Sequence, residues 1–506
     1  MFNVADYFVD RNLELGRGDR VALFTPQGAT TYSELSALVN RVGNVLLGLG
    51  ARRGERVLLA LSDGVEFVAT WYAAQKIGAV TAEVYTFLQP KDYRYFLDYT
   101  EARVVIADPV TLDQLREAGT EGRQVLVVGG TDLRDNEHDF AALVADASGT
   151  LDPAPTTRED IAIWKFTTGS TGAPKACVHP AASPIISHES YALGVLGIGQ
   201  DDIVLPVPKL FFGYARDLTA LYPFGVGAAG IAFPERTTAD RIFELIARFR
   251  PTILVNVPTM MSAMVAHPTA STQDLSSLRL CTSAGEALPA ELHRRWNETF
   301  GVEVVDGIGS SEAYHIYISN RPGAARQGSC GQVVPGYSAR VVDDDGAEVP
   351  DGEVGTLEVT GGTVALEYFG DKEKSASTYR GHTVHTGDLF SRDADGFFYY
   401  HGRADDLLKS GGIWVAPSEI EHCLIGHDDV LECGVTGFEV DGLVRPRAYV
   451  VVREGVTATP ELATSLREFV RARLAGHKSP HEIRFVTSLP RTTNGKLDRR
   501  ALRAMT

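Results

Sequence analysis

Phe166-Thr-Thr-Gly-Ser-Thr-Gly-Ala-Pro-Lys175 decides how the rest of the chain is read. It follows an apolar run, Ile161 to Trp164, whose pattern predicts a short buried strand. Gly169 and Gly172 let the backbone fold tightly and turn N–H groups toward an anion. Thr167, Thr168, Ser170 and Thr171 add hydroxyl donors, and Lys175 adds a cation. On chemical grounds this is a phosphate cradle. It is not the P-loop of the nucleotide triphosphatases, because Pro174 stands where G-x-x-x-x-G-K-[ST] needs its second glycine. A plain flexible Gly/Ser/Thr loop at a strand end is the competing reading.

The 506 residues exceed the size at which one hydrophobic core keeps growing, so at least two domains are expected. Lys plus Arg is 48 and Asp plus Glu is 65, a net charge of −17. That sign argues against a nucleic-acid partner, which needs a basic face. It does not forbid an anionic ligand held in a locally positive cradle. The five cysteines, Cys177, Cys281, Cys330, Cys423 and Cys433, form no C-x-x-C pair and read as reduced thiols of a cytoplasmic enzyme. Met-Phe-Asn-Val-Ala-Asp lacks the basic and apolar regions of a signal peptide. No apolar run is long enough to span a bilayer, so no membrane partner is expected.

Upstream of the cradle, Tyr32 to Leu46 has apolar residues at helical spacing, and Arg56 to Leu61 is a buried strand. Glu66 to Gly78 is helical again and Ala79 to Val84 extended. Strands separated by helices predict a mostly parallel, helix-covered sheet. Gly129 to Asp160 reads as a polar connector.

Downstream, Val204 to Tyr214 is apolar and aromatic with prolines that interrupt regular structure, and taken alone it reads as core. Gly225-Val-Gly-Ala-Ala-Gly230 matches the dinucleotide fingerprint by letter, but it precedes an apolar run rather than joining strand to helix. Close helix–strand packing accounts for it better. Leu278 to Glu286 and Val302 to Glu312 each run from strand to glycine turn and leave a carboxylate at the strand's C-terminal end. Ligands bind there in open α/β sheets. Glu312 suits a hard cation on phosphate, or equally the cap of a following helix. Gly352 to Val359 and Gly396 to Tyr400 look like short antiparallel strands. His382 and His385 lack a nearby third metal ligand, while Asp388 after a glycine suits sugar hydroxyls. Gly402 to Gly412 is the expected interdomain hinge. Beyond it, Pro417 to Ile425 and Ala463 to Leu474 read as helices and Leu443 to Val452 as a strand, a small α+β domain. Thr493-Asn-Gly is a turn that would hold Lys496 at an exposed tip.

Together these pieces resemble the acyl-adenylate-forming superfamily of acyl-CoA ligases, peptide-synthetase adenylation domains and luciferases. The matching blocks, in the family's order, are Thr167–Lys175, Gly307-Ile-Gly-Ser-Ser-Glu312, Thr386-Gly-Asp388, Gly402-Arg403 with Asp405, and Pro490-Arg-Thr-Thr-Asn-Gly-Lys496. The cradle reads Thr-Gly-Ser-Thr-Gly where Ser-Gly-Thr-Thr-Gly is commoner, a swap of hydroxyl residues that keeps the donors. Within the superfamily the chain looks most like the benzoate-CoA ligases. Lys209-Leu-Phe-Phe-Gly-Tyr214, Gly307 to Ile316 with Ser319-Asn-Arg-Pro-Gly323, and Ser410-Gly-Gly-Ile-Trp-Val415 carry that likeness.

The resemblance implies an α/β fold. A large N-terminal domain, 1–403, would hold helix-covered, mostly parallel sheets and a β-rich subdomain, and a small mobile α+β domain, 404–506, would carry the catalytic lysine. It implies that ATP is bound by Thr167, Thr168, Gly169, Ser170, Thr171, Gly172, Lys175, Gly285, Glu286, Asp306, Gly307, Ile308, Ser311, Asp388 and Arg403. Gly213, Tyr214, Ala284, Gly309, His315 and Ile316 would line an aryl pocket, with Mg²⁺ near Thr171 and Glu312. Lys496, Glu312 and His315 would be catalytic, Asp405 the hinge, and Ser410, Gly411 and Gly412 the channel for the CoA thiol. The family more often has alanine where this chain has Gly213, and the missing methyl is expected to leave room for a ring substituent. Amino- and hydroxybenzoates therefore stand beside benzoate as expected substrates. The rival readings are an enzyme loading a separate carrier protein, since no fused carrier domain follows Lys496, and a non-catalytic nucleotide-binding module. A homodimer is left open.

Overall fold

Alternation decides which face each central strand buries. Val57, Leu59, Val104, Ile106 and Leu126 join one core, while Leu58, Ala60, Val105, Ala107, Val125 and Val127 join another. Successive side chains leave a strand on opposite faces, and both faces here are apolar, as in a parallel sheet covered on both sides. The computed structural model describes residues 2–167, 173–410, 413–440, 443–491 and 497–505.

The first sheet has seven strands, in the order Glu137–Asp139, Gln124–Val127, Val104–Ala107, Arg56–Ala60, Val80–Glu83, Ile161–Thr167 and Lys175–Pro180. Its pairings are parallel except the last, which is antiparallel. The second sheet has nine, in the order Gln332–Val333, Ile316–Ser319, Val304–Gly309, Leu280–Ser283, Ile253–Asn256, Ile203–Pro206, Ala229–Ile231, Val21–Thr25 and Gly28–Thr31. Its interior is parallel and its margins antiparallel.

Ile253 and Val255 share a core with Val57 and Val104, whereas Leu254 faces away, so that core lies between the two sheets. The helix Val65–Lys76 runs through it, buried from Phe67 to Lys76. A helix enclosed on all sides needs partners for its polar tips. Trp71 donates to Glu83 in the first sheet, and Tyr72 donates its hydroxyl to the Ala220 carbonyl at 2.5 Å.

A five-stranded antiparallel sheet follows: Tyr337–Val342, Gly355–Gly361, Thr383–Arg392 and Tyr379–Arg380, with Phe398–Arg403 also on Thr383–Arg392. Beyond it lies a separate C-terminal domain. Val430–Val440 pairs antiparallel with Leu443–Val452, which pairs parallel with Glu482–Phe485, under the helices Pro417–Ile425, Pro460–Arg471 and Arg499–Ala504. Its cores, built from residues such as Leu408, Ile420, Val450 and Leu502, share no residue with those upstream. Among the described residues, no helix is long and apolar enough to cross a membrane.

One sequence expectation changes. The connector 129–160 contains the strand Glu137–Asp139 and the helix Phe140–Asp146, capped by Asp139 accepting from the Ala142 N–H. Both are too short to show a period. The glycines 225–230 run from helix to strand, Tyr222–Val226 to Ala229–Ile231, the reverse of the strand-to-helix order that the fingerprint needs. A Cβ on Gly230 would stand 2.1 Å from the Thr219 carbonyl oxygen, the close packing expected.

Candidate active site

Two chain reversals meet at the ends of the two sheets. The first is a hairpin: Ile161–Thr167 and Lys175–Pro180 pair antiparallel, with Thr167 opposite Lys175. The cradle sequence lies between these two paired strands. Of its expected phosphate ligands, Thr168, Gly169, Ser170, Thr171 and Gly172 lie outside the described residues. At its exit, Lys175 Nζ donates to Asp371 Oδ2 at 2.7 Å, and the pair holds the Asp371 carboxyl below its ordinary pKa.

The second reversal, 310–315, joins the antiparallel strands Val304–Gly309 and Ile316–Ser319. It is clamped onto the first. Ser311 Oγ donates to the Phe166 carbonyl at 3.4 Å, and the Ser311 carbonyl accepts from His179 Nε2 at 2.7 Å. From the other side the Ala365 N–H donates to the Glu312 carbonyl at 2.8 Å, and Thr363 Oγ1 to the Ala313 carbonyl at 2.8 Å. No helix follows Glu312, which removes the helix-cap reading. Its carboxylate instead accepts from the Tyr368 hydroxyl at 2.8 Å. Neither Tyr368 nor Asp371 was anticipated from sequence.

Gly309 is opposite Ile316, and a Cβ on it would stand 2.4 Å from the His315 carbonyl oxygen, so only glycine fits there. His315 is 4% exposed, with its ring centroid 5.5, 5.7 and 5.1 Å from those of Tyr191, Tyr214 and Tyr222. Its Nε2 lies 3.3 Å from the Tyr214 carbonyl, which can only accept. Burial pushes its pKa down to about 3, so it is neutral, protonated on Nε2, with an acceptor lone pair on Nδ1. That Nδ1 is buried with no hydrogen-bond partner among the described residues.

Of the remaining expected nucleotide ligands, Gly285 and Glu286 follow the strand Leu280–Ser283, Asp306, Gly307 and Ile308 lie in its neighbour Val304–Gly309, and Asp388 and Arg403 belong to the five-stranded antiparallel sheet. Asp306 is opposite Ser283, and burial raises its pKa to about 8. Its Oδ1 is buried without a hydrogen-bond partner among the described residues. Ala284 is buried, and Gly285, at φ +86°, turns the chain beneath the Phe212 ring. Glu286 is engaged, accepting from Thr259 N at 3.0 Å and Oγ1 at 2.6 Å. Gly307 and Ile308 pair with Ser319 and Ile318. Asp388 is 8% exposed and opposite Arg403, whose Nη1 donates to Asp388 Oδ1 at 3.1 Å. Burial works against the Arg403 cation, but Asp388, with Tyr400 and Glu312 near it, outweighs that and raises its pKa.

Gly213 requires a correction. The room expected beside it is taken by Lys165, because a Cβ on Gly213 would stand 2.8 Å from Lys165 Nζ and 2.9 Å from Cε. Lys165 is 6% exposed and donates to Asp217 Oδ2 and to the Tyr314 carbonyl, both at 2.6 Å. Asp217 Oδ1 accepts from Arg216, whose Nη1 reaches Glu83 Oε1 at 2.6 Å. Burial leads in pushing Lys165 down to about 8, against the pull of Asp217. Burial also works against the Asp217 carboxylate, but Arg216 and Lys165 outweigh it and hold the carboxyl below its ordinary value. A lysine inside Ile161-Ala-Ile-Trp-Lys-Phe, otherwise apolar, was the sequence signal for this network.

Asp405 lies in the short turn Ala404–Asp406, directly after Phe398–Arg403. The backbone of Ser410 pairs with Ile413, while Gly411 and Gly412 lie outside the described residues. So does Lys496, in a segment whose flanks, Arg491 and Leu497, bridge each other.

The chain resembles known proteins throughout. A benzoate–CoA ligase of Thauera aromatica is 40% identical over 510 residues, spanning 99% of this chain and 96% of that relative. An anthranilate CoA ligase solved in complex with anthranoyl-AMP aligns with a TM-score of 0.95 and 38% identity, over 99% of this chain and 97% of that one. A benzoate CoA ligase from Burkholderia xenovorans LB400 aligns at 0.92 and 38%, over 99% and 100%. Residues 10–369 match the AMP-binding enzyme profile and residues 419–496 its C-terminal domain, so the chain belongs to the AMP-binding enzyme family.

Proposed function

We propose that the protein is an ATP-dependent aryl acid–CoA ligase. It joins a benzoate-type carboxylate to the α-phosphorus of ATP, releases pyrophosphate, and passes the acyl group from AMP to the CoA thiol. One observation carries this reading. The Glu312 turn is bonded to the strands that flank the cradle on one side and to Tyr368 on the other, and the buried His315–tyrosine cluster follows it directly. The names of the similar ligases support the same chemistry.

In the first step two anions meet, so catalysis needs positive charge where negative charge develops. The cradle and Lys175 take the β- and γ-phosphates, Lys175 exchanging its partner Asp371 for phosphate oxygen. Asp388, steadied by Arg403, accepts the ribose hydroxyls. Asp306 Oδ1, buried without a partner among the described residues, accepts from the nucleotide. Glu312 fits Mg²⁺: a single carboxylate beside phosphate is the donor set that ion uses, with Thr171 as second ligand. When bound, the ion neutralises phosphate charge. His315, neutral with a free acceptor, lines the aryl site with Tyr214, Gly213, Ala284, Gly309 and Ile316. Lys496, from a C-terminal lid spanning 404–506, bridges the carboxylate and the α-phosphate and aligns them.

In the second step the lid turns about Asp405, withdraws Lys496, and brings Ser410-Gly-Gly412 to the thiol's approach. Pyrophosphate release with benzoate, ATP and Mg²⁺, followed by CoA-dependent release of AMP, tests the reading. Failure of the first half overturns it. Faster turnover with a phosphopantetheinylated carrier than with CoA would move the acceptor to a carrier protein.

A further inference from the structure

Lys165 Nζ lies 2.8 Å from where an alanine methyl at residue 213 would stand, too close for both to fit, so the ammonium sits against a residue without a side chain. We propose that Lys165 sets ring-substituent selectivity. Its ammonium favours a benzoate bearing a hydrogen-bond-accepting oxygen, a hydroxybenzoate, over benzoate or an aminobenzoate. This rests on the aryl-site reading above.

Two of its N–H groups go to Asp217 and to the Tyr314 carbonyl, and the Tyr314 ring centroid lies 3.5 Å from Nζ. Toward residue 213 no side chain stands. The cluster already holds two cations, Lys165 and Arg216, and two anions, Asp217 and Glu83. Its charge is balanced, so a neutral oxygen suits it better than a second carboxylate. An amino group offers its own donors to an ammonium and is the poorer match. The ammonium's second acceptor is Tyr314, and the next residue, His315, has the buried Nδ1 with no partner among the described residues. The Tyr314–His315 peptide thus links the ammonium, a donor for a phenolic oxygen, to a ring acceptor with no partner among the described residues.

Stability alone does not account for this network. Apolar residues of similar volume often replace buried ion pairs at no cost. The neighbouring strand residues Ile163 and Trp164 are apolar and buried.

Competition assays decide the matter, because the ratio of kcat/KM for two substrates in one sample is independent of how much protein is folded. Benzoate is run against 2-, 3- and 4-hydroxybenzoate and the matching aminobenzoates in one sample with ATP, Mg²⁺ and CoA, and the competing aryl-CoA thioesters are separated and quantified. At least one hydroxybenzoate is expected to outcompete benzoate. Lys165→Met should lower that ratio by about tenfold or more, the size of one charge-assisted hydrogen bond, chiefly through KM. Gly213→Ala, which keeps the charge but displaces Nζ, should lower it too, and stands alone if Lys165→Met fails to fold. A ratio within about twofold of wild type in every variant that folds overturns the assignment, as does a wild type that prefers benzoate or an aminobenzoate. No pyrophosphate release with any aryl acid instead overturns the ligase reading itself.

Discussion

Asp388 and Arg403 face each other across neighbouring antiparallel strands, and Arg403 Nη1 donates to Asp388 Oδ1 at 3.1 Å. The pairing leaves Asp388 a buried carboxylate already oriented by a cation.

That orientation is expected to serve the ribose. Asp388→Asn should raise KM for ATP by roughly 10-fold or more, since a hydrogen bond to a charged group is worth about 1.5–3 kcal/mol. KM for the aryl acid should move little. Steady-state kinetics with each substrate varied in turn gives both numbers; a change confined to the aryl acid would place Asp388 elsewhere.

Glu312 is held by the Tyr368 hydroxyl. Glu312→Gln should lower adenylate formation by roughly 100-fold, the scale on which loss of one transition-state electrostatic group acts. Tyr368→Phe should cost only about 3- to 10-fold, because a neutral hydrogen bond nets about 1 kcal/mol. Added Mg²⁺ should partly rescue Tyr368→Phe. Equal losses in both variants, unresponsive to Mg²⁺, would argue that the pair only supports the fold.

The two half-reactions separate the lid's roles. Lys496→Ala should abolish aryl-adenylate formation yet spare thioester formation from premade aryl-AMP. Asp405→Pro should do the reverse, because proline fixes φ where the turn must move. Parallel loss of both steps in either variant would contradict its assignment.

Lys165 also predicts a pH dependence of stability. Its pKa falls from 10.5 to about 8 on folding. Between those values the unfolded chain binds more protons, so this group makes stability rise with pH. The cost of the buried cation is fully present below pH 8 and is lost progressively as pH rises from about 8 toward the unfolded value of 10.5. The melting temperature of wild type relative to Lys165→Met should therefore climb from pH 7.5 to 10. Asp217 works at the other end: its depressed pKa adds stability above its ordinary 3.8, lost only as pH falls through the folded value. A flat difference from pH 7.5 to 10 would mean that Lys165 keeps its ordinary pKa.

The alternation of helix and strand was legible in the sequence because long amphipathic stretches such as Tyr32–Gly48 display a period. The strands Arg56–Ala60 and Val80–Glu83 were legible as apolar runs. Less visible was that the strands flanking the cradle pair with each other, because register between Thr167 and Lys175 is a property of pairing, not of either segment. The fate of Gly213 was hidden for the same reason. Nothing local tells that Lys165, 48 positions earlier, fills its missing methyl. Tyr368 and Asp371 stand 56 and 196 positions from Glu312 and Lys175 and carry no motif.

Arg403 ends its strand, and the turn holding Asp405 begins at the next residue. A rotation that starts there would leave the sugar's anchor on the stationary side while Lys496 gives way to Ser410-Gly-Gly412 beside the acyl carbon. The nucleoside would then be the still point of the catalytic cycle, gripped alike through acid activation and thiol attack. AMP should be the last product to leave, and excess AMP should compete with ATP rather than with CoA.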